Sequence, residues 1–135
     1  MSEKPRILFV YVGNGSRSQI AEGLTRQISG EKVSVTSAGI RPLKGLDKEA
    51  VEVMNEMGVD ITKTKPELFT KDMVDDADVI VSVTGFPINN LLDMGDKQTH
   101  VWEIEDPAGE GVDMYRTVRD DIKTRIEELV GNLDG

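Results

Sequence analysis

Arg6-Ile-Leu-Phe-Val-Tyr-Val-Gly-Asn-Gly-Ser-Arg-Ser-Gln-Ile-Ala-Glu22 is an apolar run, a glycine-rich turn and the start of an amphipathic stretch, in that order. Arg6–Tyr11 is nearly continuous in apolar residues, as expected of a central strand buried on both faces. Gly13 and Gly15 break that run and permit positive φ and close approach of a ligand to the backbone. The amides of Val12, Gly13, Asn14, Gly15, Ser16, Arg17 and Ser18, together with a helix start, favour an anion. Arg17 can fork two donors onto tetrahedral oxygens, and Asn14 can pin the turn through bonds to its own backbone. The segment reads as a cradle for a phosphate-sized anion.

Outward from the cradle, strands and helices alternate. A helix from Gln19 is expected, with Ser18 as N-cap, Ile20, Leu24 and Ile28 on one stripe and Gly30 as its stop. Lys32–Ser37 alternates valines with polar residues, a second strand ending at Ala38-Gly39. A helix from about Asp47 to Met57 turns Ala50, Val53, Met54 and Met57 inward and is closed by Gly58, with Val59-Asp60-Ile61 extended after it. A weaker helix around Pro66–Asp75 leads into a strand at Ala77–Val83, and Phe86-Pro87 opens a turn or short helix to about Leu92. His100–Ile104 is a fourth strand, Glu105–Gly111 a loop, and the last helix carries Val112, Tyr115, Val118, Ile122, Ile126, Leu129 and Leu133 at steps of three and four. This alternation implies an α/β fold: a three-layer α/β/α sandwich around a four-stranded parallel sheet. Right-handed crossovers suggest the order 2-1-3-4, with the glycine-rich turn leaving the first strand at the topological switch point.

At 135 residues the chain has the length of one domain, 1–135, and no repeat or linker divides it. No apolar run approaches the roughly 20 residues of a membrane span, and the N-terminus lacks a signal-peptide pattern, so a cytoplasmic protein is expected. A net charge of −9 argues against nucleic acid as a partner. The complete lack of cysteine excludes disulfides, thiolate metal sites and thiol redox chemistry.

Two other phosphate-loop readings fail. A dinucleotide turn needs a third glycine where Ser18 stands, and an acidic residue where the second strand ends in Ser37-Ala-Gly. A nucleotide P-loop needs Gly-Lys-Ser/Thr, which is absent.

The chain resembles the low-molecular-weight protein tyrosine phosphatases and the thioredoxin-coupled arsenate reductases along nearly its whole length. The resemblance rests on Asn14, Arg17, Ser18 and Ala21-Glu22, on Ser37-Ala38-Gly39-Ile40, and on Met57-Gly58-Val59-Asp60-Ile61. It continues through Ala77-Asp-Val-Ile-Val81 and Asp106-Pro107. Gln19, Ser37–Ile40 and the stretch from Trp102 to Asp106-Pro107-Ala108-Gly109 are similar to the reductases in particular. The resemblance implies a phosphotyrosine phosphatase I-like fold, with Arg17 binding the oxyanion and Asp106 as general acid protonating the leaving group. It also implies that Ser18 stabilises the nucleophile and that Asn14 and Ser37 support the loop.

In that family the loop starts with a nucleophilic cysteine and reaches an Arg-Ser pair after five residues. Here Tyr11 holds the cysteine's position, and Ser16 stands where many members carry a second one. A phenol ionises at about 10, and its oxygen lies roughly 6 Å from Cα, so inside the cradle the ring takes the substrate's place. Ser16 and Ser18 have no evident base, since His100, the single histidine, lies on the fourth strand as a structural residue. The reductases also relay a disulfide through two cysteines after the third strand, and Ser82–Leu92 has none. Glu103, Glu105 and Asp106 read as a solvated edge and not as a metal cluster, and Trp102 and Tyr115 as packing residues.

The expectation is a pseudo-enzyme that binds phosphate- or arsenate-like anions or a phosphorylated ligand, without cofactor, metal or membrane, as a monomer or weak dimer. The sequence leaves open a phosphatase using a serine or an activated water, a catalytic-cysteine variant of an active member, and a structural protein whose loop the Tyr11 ring fills.

Overall fold

A computed structural model describes residues 5–11, 16–30, 32–39, 48–62, 68–83, 98–104, 107 and 109–134, without the side chains of Tyr11, Ser16, Leu133 and Asp134. The elements in chain order are β1 (Arg6–Tyr11), α1 (Ser16–Ser29), β2 (Ser34–Gly39), α2 (Lys48–Asn55), α3 (Lys71–Asp76), β3 (Val79–Ser82), β4 (Gln98–Val101) and α4 (Val112–Asp134). The four strands form one parallel sheet in the order β2-β1-β3-β4, as expected from the sequence.

Strand alternation divides the interior into two cores. Ile7 and Phe9 of β1, with Val79 and Val81 of β3, face the larger one, where Ile20 and Leu24 of α1, Val53 and Met54 of α2, and Tyr115, Val118, Ile122 and Ile126 of α4 meet them. Leu8, Val10 and Ile80 point the opposite way, onto Ala38 and onto Val74 and Ala77 around α3. This period of two on a strand buried from both sides explains why Arg6–Tyr11 reads as an unbroken apolar run.

Gly23 lets α1 and the chain after α2 approach closely, because a Cβ there would lie 2.9 Å from Ile61 Cγ2. Gly30 (φ 59°) ends α1, with its N–H on the Arg26 carbonyl. Across the α2–α4 junction, Glu56 accepts from Arg116 (2.6 Å) and Arg119 (2.8 Å). Hydrogen bonds from Arg116 and then Arg119 hold its carboxyl well below the ordinary range, at about 2.

Four expectations shift. α1 begins at Ser16, so Ser18 lies inside the first turn, fully buried, and is not its N-cap. The helix expected around Pro66–Asp75 is α3, Lys71–Asp76, capped by Thr70, whose side chain accepts from Met73 N–H at 3.3 Å. Leu68 and Phe69 are not helical, since Leu68 pairs with Gly39 and Phe69 N–H bonds the Gly39 carbonyl at 2.8 Å. The fourth strand is Gln98–Val101 and not His100–Ile104. Trp102 still donates its N–H to Ser82 (2.8 Å), but beyond it the chain leaves the ladder while Trp102 and Ile104 sink into the larger core. The turn expected at Phe86–Leu92 lies outside the described residues. No helix among the described residues is long and apolar enough to cross a membrane.

Candidate functional site

β1 ends at Tyr11, paired with Gly39 of β2, and α1 begins at Ser16. A connection of this kind, from a central strand of a parallel sheet into a helix N-terminus, is where open α/β folds bind ligands. Val12, Gly13, Asn14 and Gly15 lie outside the described residues, as do the side chains of Tyr11 and Ser16. The described frame is the strand end before them and the helical turn after them.

Arg17 and Ser18 occupy that first turn. Ser18 is fully buried. Arg17 is half-buried, and its Nη1 donates to the carbonyl of Ile104 at 2.9 Å. The bond ties the helix start to the stretch that precedes Asp106. Asp106 lies outside the described residues; Ile104 before it and Pro107 after it are buried. Trp102 packs against Phe9 of β1, ring centroids 5.8 Å apart and tilted by 51°.

Ser37, expected to support the loop, meets Glu22, a residue to which the sequence alone assigns no role. The Ser37 hydroxyl donates to Glu22 Oε1 at 2.5 Å in a buried setting, and Glu22 Oε2 is paired with Arg26. Arg26 also donates to the Val35 carbonyl at 3.2 Å. This chain of contacts joins α1 to β2 directly behind the first turn, and it satisfies a carboxylate that is only 7% exposed. The i,i+4 spacing of Glu22 and Arg26 is the one sequence signal for it. Gln19 is different: it is fully buried, and neither carboxamide atom has a hydrogen-bond partner among the described residues.

The remaining sequence candidates lie elsewhere. His100 sits on the edge strand β4 with Nε2 2.7 Å from Gln98 Nε2, and lines an open groove of about 230 Å³ with Trp102, Arg125, Glu128, Leu129 and Asn132. Tyr115 is in the larger core, 2% exposed. Glu103 is exposed beyond the end of β4, and no group of three metal-binding side chains occurs among the described residues.

Residues 6–135 match the family described as low molecular weight phosphotyrosine protein phosphatase. The chain belongs to that family. An arsenate reductase from Staphylococcus haemolyticus is 37% identical over 129 residues, spanning 94% of this chain and 97% of the relative. Among solved structures, an arsenate reductase in the phosphate binding state superposes with a TM-score of 0.83 at 32% identity, covering 95% of this chain and 98% of its own. A tyrosine phosphatase of Erwinia amylovora gives 0.84 over 97% and 94% of the two chains, at 24% identity, a likeness of fold. This low-molecular-weight phosphatase homologue thus has the family's fold, with Arg17 in the first turn of α1 and no cysteine in its sequence.

Proposed function

We propose that this protein binds phosphate-like oxyanions, free or carried on a ligand, and has given up the cysteine chemistry of its family. Tyr11 takes the nucleophile's position, the amides of residues 12–18 and the Arg17 guanidinium hold the anion, and Asn14, Ser18 and Ser37 keep the loop in shape. Asp106 stands as a proton donor with no cysteine-based intermediate to serve. The single domain spans 1–135.

The observation that carries this reading is the conjunction of a half-buried Arg17 in the first helical turn with a chain that has no thiol. A guanidinium there is matched to two oxygens of a tetrahedral anion, and the free amides of a helix start add to the attraction. The similarity to an arsenate reductase solved in its phosphate binding state supports the ligand class. The chemistry stops there, because a phenol is too long and too weakly ionised to replace a thiolate in the same loop.

Calorimetry with phosphate, arsenate and sulfate tests the binding. Heat and a thermal shift at millimolar phosphate, lost in Arg17→Ala, are expected. A chromogenic aryl phosphate tests the rest. Wild-type protein should show no turnover, and Tyr11→Cys should gain it and lose it again with Asp106→Ala. Wild-type turnover that disappears in Arg17→Ala would instead establish an enzyme working through a serine or an activated water.

A further inference from the structure

We propose that Arg17 couples occupancy of the anion cradle to the Trp102–Ile104 stretch, so that the single tryptophan registers the bound anion. The inference rests on the oxyanion-binding reading and adds to it a route by which binding is communicated.

A guanidinium is a rigid plane with five N–H donors. In this chain one of them, on Nη1, is committed to the Ile104 carbonyl at 2.9 Å, a bond that spans 87 positions of sequence. The donors on Nε and Nη2 form the opposite edge of the plane, the edge suited to bidentate contact with a tetrahedral anion. A stiff group gripped on one edge and loaded on the other cannot shift at one without shifting at the other.

The stretch at the receiving end is held closely. Ile104 is 5% exposed and Trp102 is 8% exposed. Trp102 N–H bonds Ser82 at the end of β3, and its ring rests on Phe9 in β1, two residues before the strand hands over to the cradle. Packed interiors of this kind transmit small displacements and do not absorb them. The bond to the Ile104 carbonyl restrains the guanidinium from one side. With an anion bound, the guanidinium is restrained from both sides, and the Trp102–Ile104 stretch is restrained with it. By linkage the reverse holds: loosening that stretch weakens anion binding by the same factor. Asp106 lies two positions beyond Ile104 in sequence, so the device acts on the root of the loop that carries the candidate proton donor.

The test uses the intact protein and its one tryptophan. Phosphate is titrated while Trp102 emission is followed, with calorimetry in parallel. In wild-type protein the emission should change and saturate, with a midpoint equal to the calorimetric Kd. Arg17→Lys keeps a cation but not the fork. It should bind phosphate about tenfold more weakly, the loss of roughly one charge-assisted hydrogen bond, and at saturation the emission change should be largely lost. A measurement that needs no variant is amide exchange, in which phosphate should slow the amides of residues 102–104 on the order of tenfold. Calorimetric binding with unmoved emission and unmoved exchange would overturn the coupling while leaving the oxyanion reading intact, as would a full emission change in Arg17→Lys. No heat from wild-type protein at millimolar phosphate would remove the oxyanion reading, and the coupling with it.

Discussion

Among the described residues, the two faces of the sheet are packed to different depths. One is covered by α1, α2 and α4 over a continuous core from Ile7 to Val130; the other carries, among the described residues, the short α3 over Leu8, Val10, Ala38, Val74, Ala77 and Ile80. Arg17 and Ser18 stand at the start of α1, a helix of the deep face. α1, which begins at the cradle, has Ile20, Ala21 and Leu24 fully buried within two turns of Arg17. A binding loop is held to a fraction of an ångström only by elements whose own packing is fixed. Beside Arg6, Ser34, Thr36 and Met73, next to α3, the surface has an open groove of about 240 Å³.

The sharpest way to break this contrast is to empty both cores in turn. Ile122→Ala on the deep face should cost about 2–5 kcal/mol, because Ile122 is fully buried among helices that cannot collapse onto the void. Val74→Ala on the thin face should cost about 1–2 kcal/mol, since fewer methyl groups are lost and α3 can settle. Urea denaturation of both variants measures the difference, and equal losses would mean the thin face is as tightly fixed as the deep one.

A second variant sharpens the contrast from the opposite side. Gln19 is a buried polar group in the deep face whose donor and acceptor are unmatched among the described residues. Gln19→Leu should raise stability by about 1 kcal/mol, the desolvation cost recovered when an unsatisfied amide becomes apolar. A fall in the denaturation midpoint would show that the carboxamide has a partner in solution.

The smallest effect concerns the rim where α2 meets α4. Glu56, ordinarily 4.5, is depressed to about 2 by Arg116 and then Arg119. A carboxyl depressed in the folded state stabilises it above the unfolded value, and that contribution is lost as pH falls from about 4.5 through about 2. The stability difference between wild type and Glu56→Gln should therefore be present at pH 7 and shrink across that window. It should also diminish with salt, since the pair is near the surface.

Much of this fold is legible in the sequence because its strongest signals are periodic. The continuous apolar run of β1 and the three-and-four spacing of α4 fix the centre and the last layer, and the glycine-rich turn marks the switch point. The misreadings have particular causes. Trp102 and Ile104 look like strand residues because they are buried, yet they fill the core after β4 has ended. Leu68 and Phe69 look helical by composition, but the Gly39 carbonyl takes the Phe69 N–H and keeps that backbone extended. At the site, Arg17 is evident from its place in the turn. Its bond to Ile104 is not, because the acceptor is a main-chain carbonyl 87 positions away and leaves no trace in side-chain identity. Glu22 is hidden for a related reason, since its partner Ser37 becomes a neighbour only when β2 lies beside α1.

α4 closes the deep face with Tyr115, Val118, Ile122, Ile126, Leu129 and Val130, and it leaves the ribosome long after the cradle does. A nascent chain that has reached β4 therefore carries β1, α1 and α2 with one apolar flank still uncovered. The larger core is therefore closed last, by the segment synthesised last, and an apolar flank left open until then is prone to aggregation.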